Sequence, residues 1–347
     1  LGWLDHVNYL ASYSKGKFLY ILNNDTQLHF NSIDSLISVA ENNENIGAVG
    51  SKLLYPDGKL QEAGGIIWEN GKAWNYGKFD NPDKPEYSYL REVDYCSGAS
   101  LLISKKYWDM LSGFDNSFAP AYYEDVDLCF RLREAGLKII YQPLSIVTHS
   151  ESATYGADQN SKKQDLLQKN YAIFLSKWRN TLSKDHEKYG KNIPIARDRS
   201  HKSKSILIID HYVPESDMDG GSLSTLNIIN SLIFCGWSVK FWPDNLFPTY
   251  GYTTELQQMG VEVLYAPWVD DLEGWLKSNY SIDYVLLIRP SIAINHLDML
   301  IQKFPKIAIL YYGVDLHFMR LQSEAKLSEN SLLKDEAKKV ERIERSV

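Results

Sequence analysis

Three carboxylates at one predicted helix start are the clearest candidates for chemistry in this sequence. Glu124, Asp125 and Asp127 follow an aromatic loop and open a short amphipathic helix. A carboxylate can take a proton from a reacting group, and a neighbouring carboxylate can orient it. The alternative is helix capping, in which these groups interact with the free N–H groups of the first turn and Asp127 pairs with Arg131. The helix alone leaves both interpretations open.

A second polar cluster follows an apolar segment near the beginning of the chain. Residues 18–22 are continuously apolar, which predicts a strand buried on both faces of a mostly parallel sheet. Asn23, Asn24 and Asp25 follow directly. Ligands of open α/β sheets bind at the carboxyl ends of strands, where a carboxylate can hold a hard divalent cation together with substrate phosphates. An ordinary Asn/Asp turn is the alternative.

The elements that must position these residues are predicted from apolar periodicity. Val126, Cys129 and Phe130 share one face of the helix that begins at the acidic cluster, and Gly136 is suited to end it. A strand then runs to His149. The helix can therefore pack inward while its acidic start stays at a strand end. The two polar clusters could then belong to one functional site.

Small and aromatic residues are weaker candidates for ligand contact. Gly98 lies in a predicted strand at 95–103, where a small residue lets a ligand or another backbone approach closely. Trp68 precedes a long loop at 69–92 and could stack on a sugar face. Simple packing is the alternative for Gly98, and burial at a strand end is the alternative for Trp68.

Composition narrows the classes of protein that fit. A chain of 347 residues suggests two domains, and a net charge of −7 with a pI near 5.7 argues against a general nucleic-acid binder. The cysteines are far apart, which indicates neither a disulfide framework nor a zinc site and fits a reducing compartment. No apolar run approaches the length of about 18 residues that suggests a membrane-spanning helix.

The pattern of apolar residues that indicates a core is interrupted after the first half of the chain. An amphipathic helix at 160–178 is expected to close a first domain at 1–179. The basic, polar stretch 180–204 lacks a core pattern and predicts a solvated linker, with contact to an acidic membrane surface as the alternative.

Strands and helices alternate from residue 205 to the end. The predicted strands are 206–209, 239–242, 261–265, 284–288 and 307–311, and this alternation predicts a parallel, doubly wound sheet. Gly220 and Gly221, followed by Ser222 as the predicted helix cap, could receive a phosphate or form a tight turn. Residues 324–347 have apolar positions with nothing after them in the chain to cover them, which predicts a frayed helix.

Five segments together resemble glycosyltransferase family 2. They are LNNDT at 22–26, GAVGSKLLYPDGKLQEAGG at 47–65, SGASLLISKKYWDMLSGFD at 97–115, YYEDVDLCFRLREAGLKI at 122–139 and THSESA at 148–153. They occur in the family's order and at its usual separations over about residues 1–178. The resemblance implies an α/β nucleotide-sugar domain of the GT-A fold.

The resemblance also implies roles for individual residues. Asp25 resembles the metal-holding aspartate of the family's DxD-like motif, with Asn23 in place of the first acidic residue. Asp125 resembles the catalytic base and Glu124 its partner, and His149 matches a histidine that completes the metal site in several members. The further expected substrate contacts are Asn23, Asn24, Gly98, Trp68 and Asp127.

The second half of the chain resembles a different family. ILIIDHYVPESDMDGGSLSTLNIINSL at 206–232 and YYGVDLHFMRL at 311–321 are similar to the N-terminal half of family 4 glycosyltransferases. This implies a Rossmann-like half of a GT-B fold over 205–347. Compared with members of both families, the sequence looks like a fragment. In family 2, strands that bind the nucleotide base would precede it, and in family 4 a donor-binding domain would follow it.

The expected function is inverting transfer of a sugar from a nucleotide-sugar donor to a glycan or lipid-linked acceptor, with Mn2+ or Mg2+. The resemblance implies bacterial polysaccharide or cell-surface glycan assembly in the cytoplasm, with peripheral contact at the inner face of the membrane left open. No nucleic-acid partner is expected, and the oligomeric state stays open. The alternatives are a non-catalytic carbohydrate-binding or scaffolding module and a sugar nucleotidyltransferase, and the Glu-Asp pair argues against the latter.

Overall fold

Apolar strands and amphipathic helices alternate along the chain and fold into two units, Leu1–His201 and Lys202–Val347. The computed structural model describes residues 2–150, 160–200, 202–279, 281–314, 317–328 and 330–345. Residues 151–153, the end of the predicted THSESA motif, lie outside these ranges. The protein is mixed α/β, as predicted.

The first unit is built on one large mixed sheet. Its helices are α1 (Trp3–Tyr13), α2 (Ser32–Asn42), α3 (Lys105–Met110), α4 (Glu124–Glu134), α5 (Asn160–Asp185) and α6 (Ile193–Arg197). Its strands are β1 (Phe18–Leu22), β2 (Thr26–Leu28), β3 (Ile46–Leu54), β4 (Leu60–Glu62), β5 (Gly65–Ile67), β6 (Ala73–Asn75), β7 (Arg91–Glu92), β8 (Ser100–Ser104) and β9 (Lys138–His149). The order is β1-β8-β3-β9-β2, with β4 paired to β3 and β7 to β9, while β5 and β6 pair separately.

The prediction of a mostly parallel sheet is wrong for this unit. Among the described strand pairs of the large sheet, only β3 with β9 is parallel. Leu19 and Ile21 of β1 belong to the main core, whereas Phe18 and Tyr20 pack with a second apolar cluster that includes residues of α2. A strand covered on both faces has the same apolar pattern in either pairing direction, so the pattern could not reveal the direction.

The predicted inward face of α4 is buried. Val126, Cys129 and Phe130 are at most 4% exposed. From α5, Phe174 and Trp178 place their rings 4.9 and 5.3 Å from the ring of Phe130. The helix that carries the acidic cluster is therefore fixed against the main core and α5.

The stretch predicted as a solvated linker instead packs on the first unit as far as residue 200. Helix α5 continues to Asp185, and α6 follows. Arg197 is 4% exposed and donates to the Tyr76 hydroxyl at 2.9 Å, and Arg199 pairs with buried Asp94. Burial alone would raise the pKa of Asp94, but the cationic groups around it hold that pKa below its usual value. The basic residues pair with acidic groups of the first unit that are distant in sequence.

The second unit contains a wholly parallel sheet among its described strands, as predicted. Its strands are β10 (Ser205–Asp210), β11 (Ser238–Pro243), β12 (Glu262–Val263), β13 (Tyr284–Ile288) and β14 (Ala308–Tyr312). Its helices are α7 (Gly220–Phe234), α8 (Tyr252–Gln258), α9 (Leu272–Ser278), α10 (Pro290–Lys303), α11 (His317–Leu327) and α12 (Ser331–Glu344). The order β12-β11-β10-β13-β14 is that of a doubly wound sheet.

Two local predictions for this unit need correction. Asp219, not Ser222, caps α7, because its carboxylate accepts the Ser222 N–H at 2.8 Å. This carboxylate occupies the helix start and favours a structural turn there over a phosphate site. In α12, Ala337 is fully buried, and Gln322 of α11 donates to Glu341 at 3.3 Å, so α11 covers apolar positions that were expected to lie bare. Among the described residues, none of the helices is both long and apolar enough to cross a membrane.

Candidate active site

A pocket of about 380 Å³ lies where the turn after β1, the end of β9 and the start of α4 meet. It is lined by Trp3, Asn23, Asn24, Asp25, Ser97, Gly98, Ala99, Ala121, Tyr122, Glu124, Asp125, His149 and Lys163. The fold therefore brings together all the site residues predicted from the sequence except Trp68 and Asp127.

Backbone pairing fixes the polar turn after β1. The Asn23 N–H donates to the Ala99 carbonyl at 3.1 Å, and the Thr26 hydroxyl donates to the Asn23 carbonyl at 2.6 Å. Thr26 is also the register partner of His149 where β2 pairs with β9. These contacts hold Asp25 beside His149.

Asp25 and His149 have the spacing of two ligands of one cation. Asp25 Oδ1 lies 3.2 Å from His149 Nε2, and the Asn23 amide nitrogen lies 3.3 Å from the same Nε2. Two ligands bound at right angles with bonds of about 2.1 Å are roughly 3 Å apart. Among the described residues, no group of three or more His, Cys, Asp or Glu side chains could hold a metal ion. Substrate and water oxygens would therefore have to complete the coordination of a cation here.

Asp125 is held by two backbone N–H groups. Its Oδ2 accepts from Gly98 at 2.9 Å and its Oδ1 accepts from Val126 at 2.8 Å. Burial raises the pKa of Asp125, and the two N–H groups partly offset that rise. A Cβ at Gly98 would lie 3.0 Å from the Trp3 ring, so the absence of a side chain there permits this close packing beside Asp125. The carboxylate is oriented and still lines the pocket.

Glu124 is in a different environment from its neighbour. It is 6% exposed, and its Oε2 has no hydrogen-bond partner. Burial raises its pKa well above the usual value, and the charge of Asp125 raises it further. Glu124 is consequently the member of the pair that keeps a proton to higher pH.

One wall of the pocket is a strained loop that α5 anchors. Tyr122 and Tyr123 have positive φ values of 77° and 70°, which non-glycine residues seldom adopt. The amide of buried Asn170 donates to the carbonyls of Phe118, Ala121 and Tyr122 at 2.7, 2.8 and 2.9 Å. Asn170 therefore fixes the loop that leads into Glu124 and Asp125.

The structure places Asp127 and Trp68 outside the pocket. Asp127 is fully buried and accepts from Arg131 Nε at 2.7 Å and from Trp178 Nε1 at 2.8 Å, which agrees with the structural alternative for this residue. Trp68 is also fully buried, and its ring packs against those of Trp74 and Tyr189 at 5.5 and 5.7 Å. Neither side chain lines the pocket.

Several residues around the pocket gave no clear signal in the sequence. Trp3 and Lys163 line it, and Asn170 and Gln61 hold residues that do. Gln61 lies within one of the five family-like segments, which was its only signal. Lys163 and Asn170 belong to an amphipathic helix, and nothing in that pattern separates them from solvent-facing residues.

Comparison with known proteins identifies a family for the segment that contains the pocket. Residues 2–164 match the family described as glycosyltransferase like family 2. An O-antigen biosynthesis protein, RfbC, of Myxococcus xanthus is 31% identical over 158 residues, which is 44% of this chain and 12% of that protein. An N-acetylglucosaminyl-diphospho-decaprenol L-rhamnosyltransferase of Mycobacterium tuberculosis is 29% identical over 155 residues, which is 42% of this chain and 50% of that protein.

Two further comparisons give lower sequence identities. An uncharacterized protein, y4gI, of Sinorhizobium fredii is 25% identical over 178 residues, 50% of this chain and 19% of that protein. The protein in the crystal structure of GalNAc-T7 with UDP, GalNAc and Mn2+ is 14% identical over 53% of this chain and 37% of that chain, with a TM-score of 0.42. The chain spans half or less of the length of the three curated relatives.

The family match and the named relatives support the enzyme class predicted from the sequence, a glycosyltransferase. The match covers the elements that form the pocket, from α1 to the beginning of α5. Residues 2–164 of this chain form a glycosyltransferase family 2 domain.

Proposed function

We propose that the first unit transfers a sugar from a nucleotide-sugar donor to an acceptor hydroxyl, with inversion at the anomeric carbon. The observation that carries this proposal is that Asp125 and the Asp25–His149 pair line one pocket. A base and a position for a cation are the two groups that this reaction needs. The antiparallel and parallel strands around the pocket are compatible with the GT-A fold implied by the sequence.

Asp125 is the proposed catalytic base. Its two backbone hydrogen bonds fix the carboxylate, and the remaining lone pairs can accept a proton from an acceptor hydroxyl. As that oxygen forms its bond to the anomeric carbon, the bond from that carbon to the diphosphate on the opposite face breaks. The proton passes to Asp125, and the configuration inverts.

Asp25 and His149 are the proposed metal ligands, with the Asn23 amide beside them. A bound Mn2+ or Mg2+ would supply positive charge for the diphosphate leaving group. Lys163 also lines the pocket and adds a cationic side chain. The lining residues Asp25, Glu124 and Asp125 are acidic, so an anionic donor needs such cationic groups to bind.

The relatives support a role in bacterial glycan assembly. One is a rhamnosyltransferase whose name specifies a lipid-linked diphospho-sugar acceptor, and another is an O-antigen biosynthesis protein. We infer that this chain uses a nucleotide sugar and a glycan or lipid-linked acceptor. Its cysteines are free, which fits a reducing cytoplasm where nucleotide sugars would be available.

For residues 202–347 we propose the acceptor-side half of a GT-B fold. The supporting observation is the five-stranded parallel sheet in doubly wound order. Its strand ends carry polar groups such as Asp210, which pairs with Arg289 at 2.7 Å.

Replacement of the proposed base tests the function. Asp125→Asn keeps the shape of the side chain but removes its basicity, so turnover with Mn2+ and a panel of nucleotide sugars should fall about 10²–10⁴-fold. Asp109→Asn is the matched control, because Asp109 is 57% exposed and pairs only within α3 with Lys105 among the contacts described for it. Turnover of Asp125→Asn within a few-fold of the parent would contradict the assignment. Nucleotide binding without any turnover by the parent protein would favour a non-catalytic binding module.

A further inference from the structure

Gln61 lies behind the proposed metal ligands. It is the middle residue of β4, which pairs with β3, and its side chain is 2% exposed. Its Oε1 lies 2.9 Å from Nδ1 of His149, the ring nitrogen that faces away from Asp25. Gln61 therefore contacts a proposed ligand on the side opposite the cation.

The contact specifies which ring nitrogen carries the proton. An amide oxygen can only accept a hydrogen bond, so Nδ1 of His149 must be the donor. In neutral imidazole the other nitrogen then has a free lone pair. The Asn23 amide nitrogen, a donor, lies 3.3 Å from that Nε2, which independently agrees with the same tautomer.

We propose that Gln61 is a positioning residue that holds His149 as the Nδ1–H tautomer, so that Nε2 is free to bind the divalent cation. This inference rests on the proposed function. Neutral imidazole without a partner prefers its proton on Nε2. In this protein an Nε2–H would donate to Asp25 Oδ1, 3.2 Å away. The two side chains would then be hydrogen-bonded to each other, and Nε2 would have no free lone pair for a metal ion. Gln61 disfavours that competing state.

The tautomer of His149 can be measured without metal and without activity. The ¹⁵N shifts of its ring nitrogens report the proton position in metal-free protein at about pH 8. The His149→Ala spectrum identifies the signals. We expect a protonated Nδ1 in the parent and in Gln61→Glu, which keeps an acceptor, and a shift towards a protonated Nε2 in Gln61→Met. A protonated Nε2 in the parent would overturn the proposal even if no variant folded.

Binding of Mn2+ supplies the second readout. Loss of a group that orients a metal ligand typically weakens metal affinity about 10–100-fold, and we expect that loss in Gln61→Met by Mn2+ titration with a nucleoside diphosphate present. Gln61→Glu should stay within a few-fold of the parent. Gln142→Met is the matched control, because Gln142 is 1% exposed and bonds to Leu144 N–H outside the pocket.

The Mn2+ measurements distinguish an error in the proposed metal-dependent function from an error in the role of Gln61. If the parent protein bound no Mn2+, the metal-dependent function would be wrong and this inference with it. If Mn2+ bound to the parent and equally well to a folded Gln61→Met, only the role of Gln61 would be wrong. An equal loss of affinity in Gln142→Met would show that the effect is general destabilisation and would also overturn the role of Gln61.

Discussion

At the scale of single residues, Asp125 and Glu124 are adjacent but their oxygens are held differently. Both oxygens of Asp125 accept backbone N–H groups, whereas Oε2 of Glu124 has no partner. Hydrogen bonds to a carboxylate favour its charged form, and burial favours its protonated form. This difference is consistent with Asp125 as the proposed base and with Glu124 as the neighbour that keeps its proton to higher pH.

The pH dependence of turnover should reveal this base. Burial raises the pKa of Asp125 above its ordinary value, which is about 3.9 for an exposed aspartate. We therefore expect kcat/KM to fall as the pH decreases through the raised pKa, because only the ionised carboxylate accepts a proton. Measurement of kcat/KM across a pH series checks this. An acid limb that persists unchanged in Asp125→Asn would mean that another group produces it.

Glu124 should make folding less favourable as the pH rises. Its pKa is raised on folding, so the folded protein binds this proton more tightly than the unfolded chain does. The contribution of this group to the free energy of unfolding is complete below its pKa in the unfolded chain, about 4.3. That contribution is lost as the pH rises through its pKa in the folded protein. Glu124→Gln removes the titration, so its Tm relative to the parent should be higher at pH 8 than at pH 5. Thermal unfolding at both pH values tests this, and a constant difference would contradict it.

Asp127 should matter for stability and not for contact with substrate. Its carboxylate accepts from Arg131 and Trp178 and pairs with Lys177 at 2.8 Å. Removal of one partner from a buried ion pair typically costs about 3–5 kcal/mol, and we expect that loss for Asp127→Ala in denaturant unfolding. Asp109→Ala, which breaks an exposed pair, should change stability by less than about 1 kcal/mol. A KM change in Asp127→Ala without a stability loss would instead favour the substrate role first predicted.

At the scale of elements, α5 anchors the loop that leads to Glu124 and Asp125. Asn170→Ala removes the amide nitrogen whose two N–H groups lie within hydrogen-bonding distance of three carbonyls of that loop. We expect a stability loss of about 1–3 kcal/mol and a larger relative fall in kcat than in donor affinity, because Asp125 follows the freed loop. Asn180→Ala, an exposed position on the same helix, is the control. An unchanged kcat in folded Asn170→Ala would exclude the positioning role.

Local sequence patterns predicted the helices and strands well, but they did not predict which other parts of the chain these elements pair with or pack against. The apolar run of β1, the inward face of α4 and the helix at α5 follow from side-chain periodicity, which depends on neighbours in the chain. The pairing direction of β1 with β8 depends on a strand about eighty residues away. The packing of Arg197 and Arg199 depends on a tyrosine and an aspartate that are also far away in the sequence. The local pattern therefore predicted a solvated linker, whereas these two arginines pack on the first unit. The polar residues that line the pocket could be singled out because they interrupt apolar elements, a signal that Gln61 and Asn170 lack.

At the scale of the whole molecule, the two units have separate cores. The first centres on the mixed sheet with α4 and α5, and the second has one apolar cluster on each face of its parallel sheet. The alternating residues Leu207 and Ile209 belong to one of these clusters, and Ile206 and Ile208 belong to the other. Each unit thus buries apolar surface of its own, which is the requirement for independent folding.

Residues 202–347 should therefore fold alone and yet transfer no sugar. Both faces of the parallel sheet are covered by the unit's own helices, so we expect a single cooperative unfolding transition. The proposed base and metal ligands all belong to the first unit, and the GT-B fold proposed for this segment would need a second domain across a cleft for its chemistry. Calorimetry and a nucleotide-sugar hydrolysis assay on this segment, with the full chain and its Asp125→Asn variant in parallel, test both expectations. Hydrolysis by residues 202–347, or hydrolysis by the full chain that survives Asp125→Asn, would place a donor site in the second unit and contradict the assignment of the chemistry to the first.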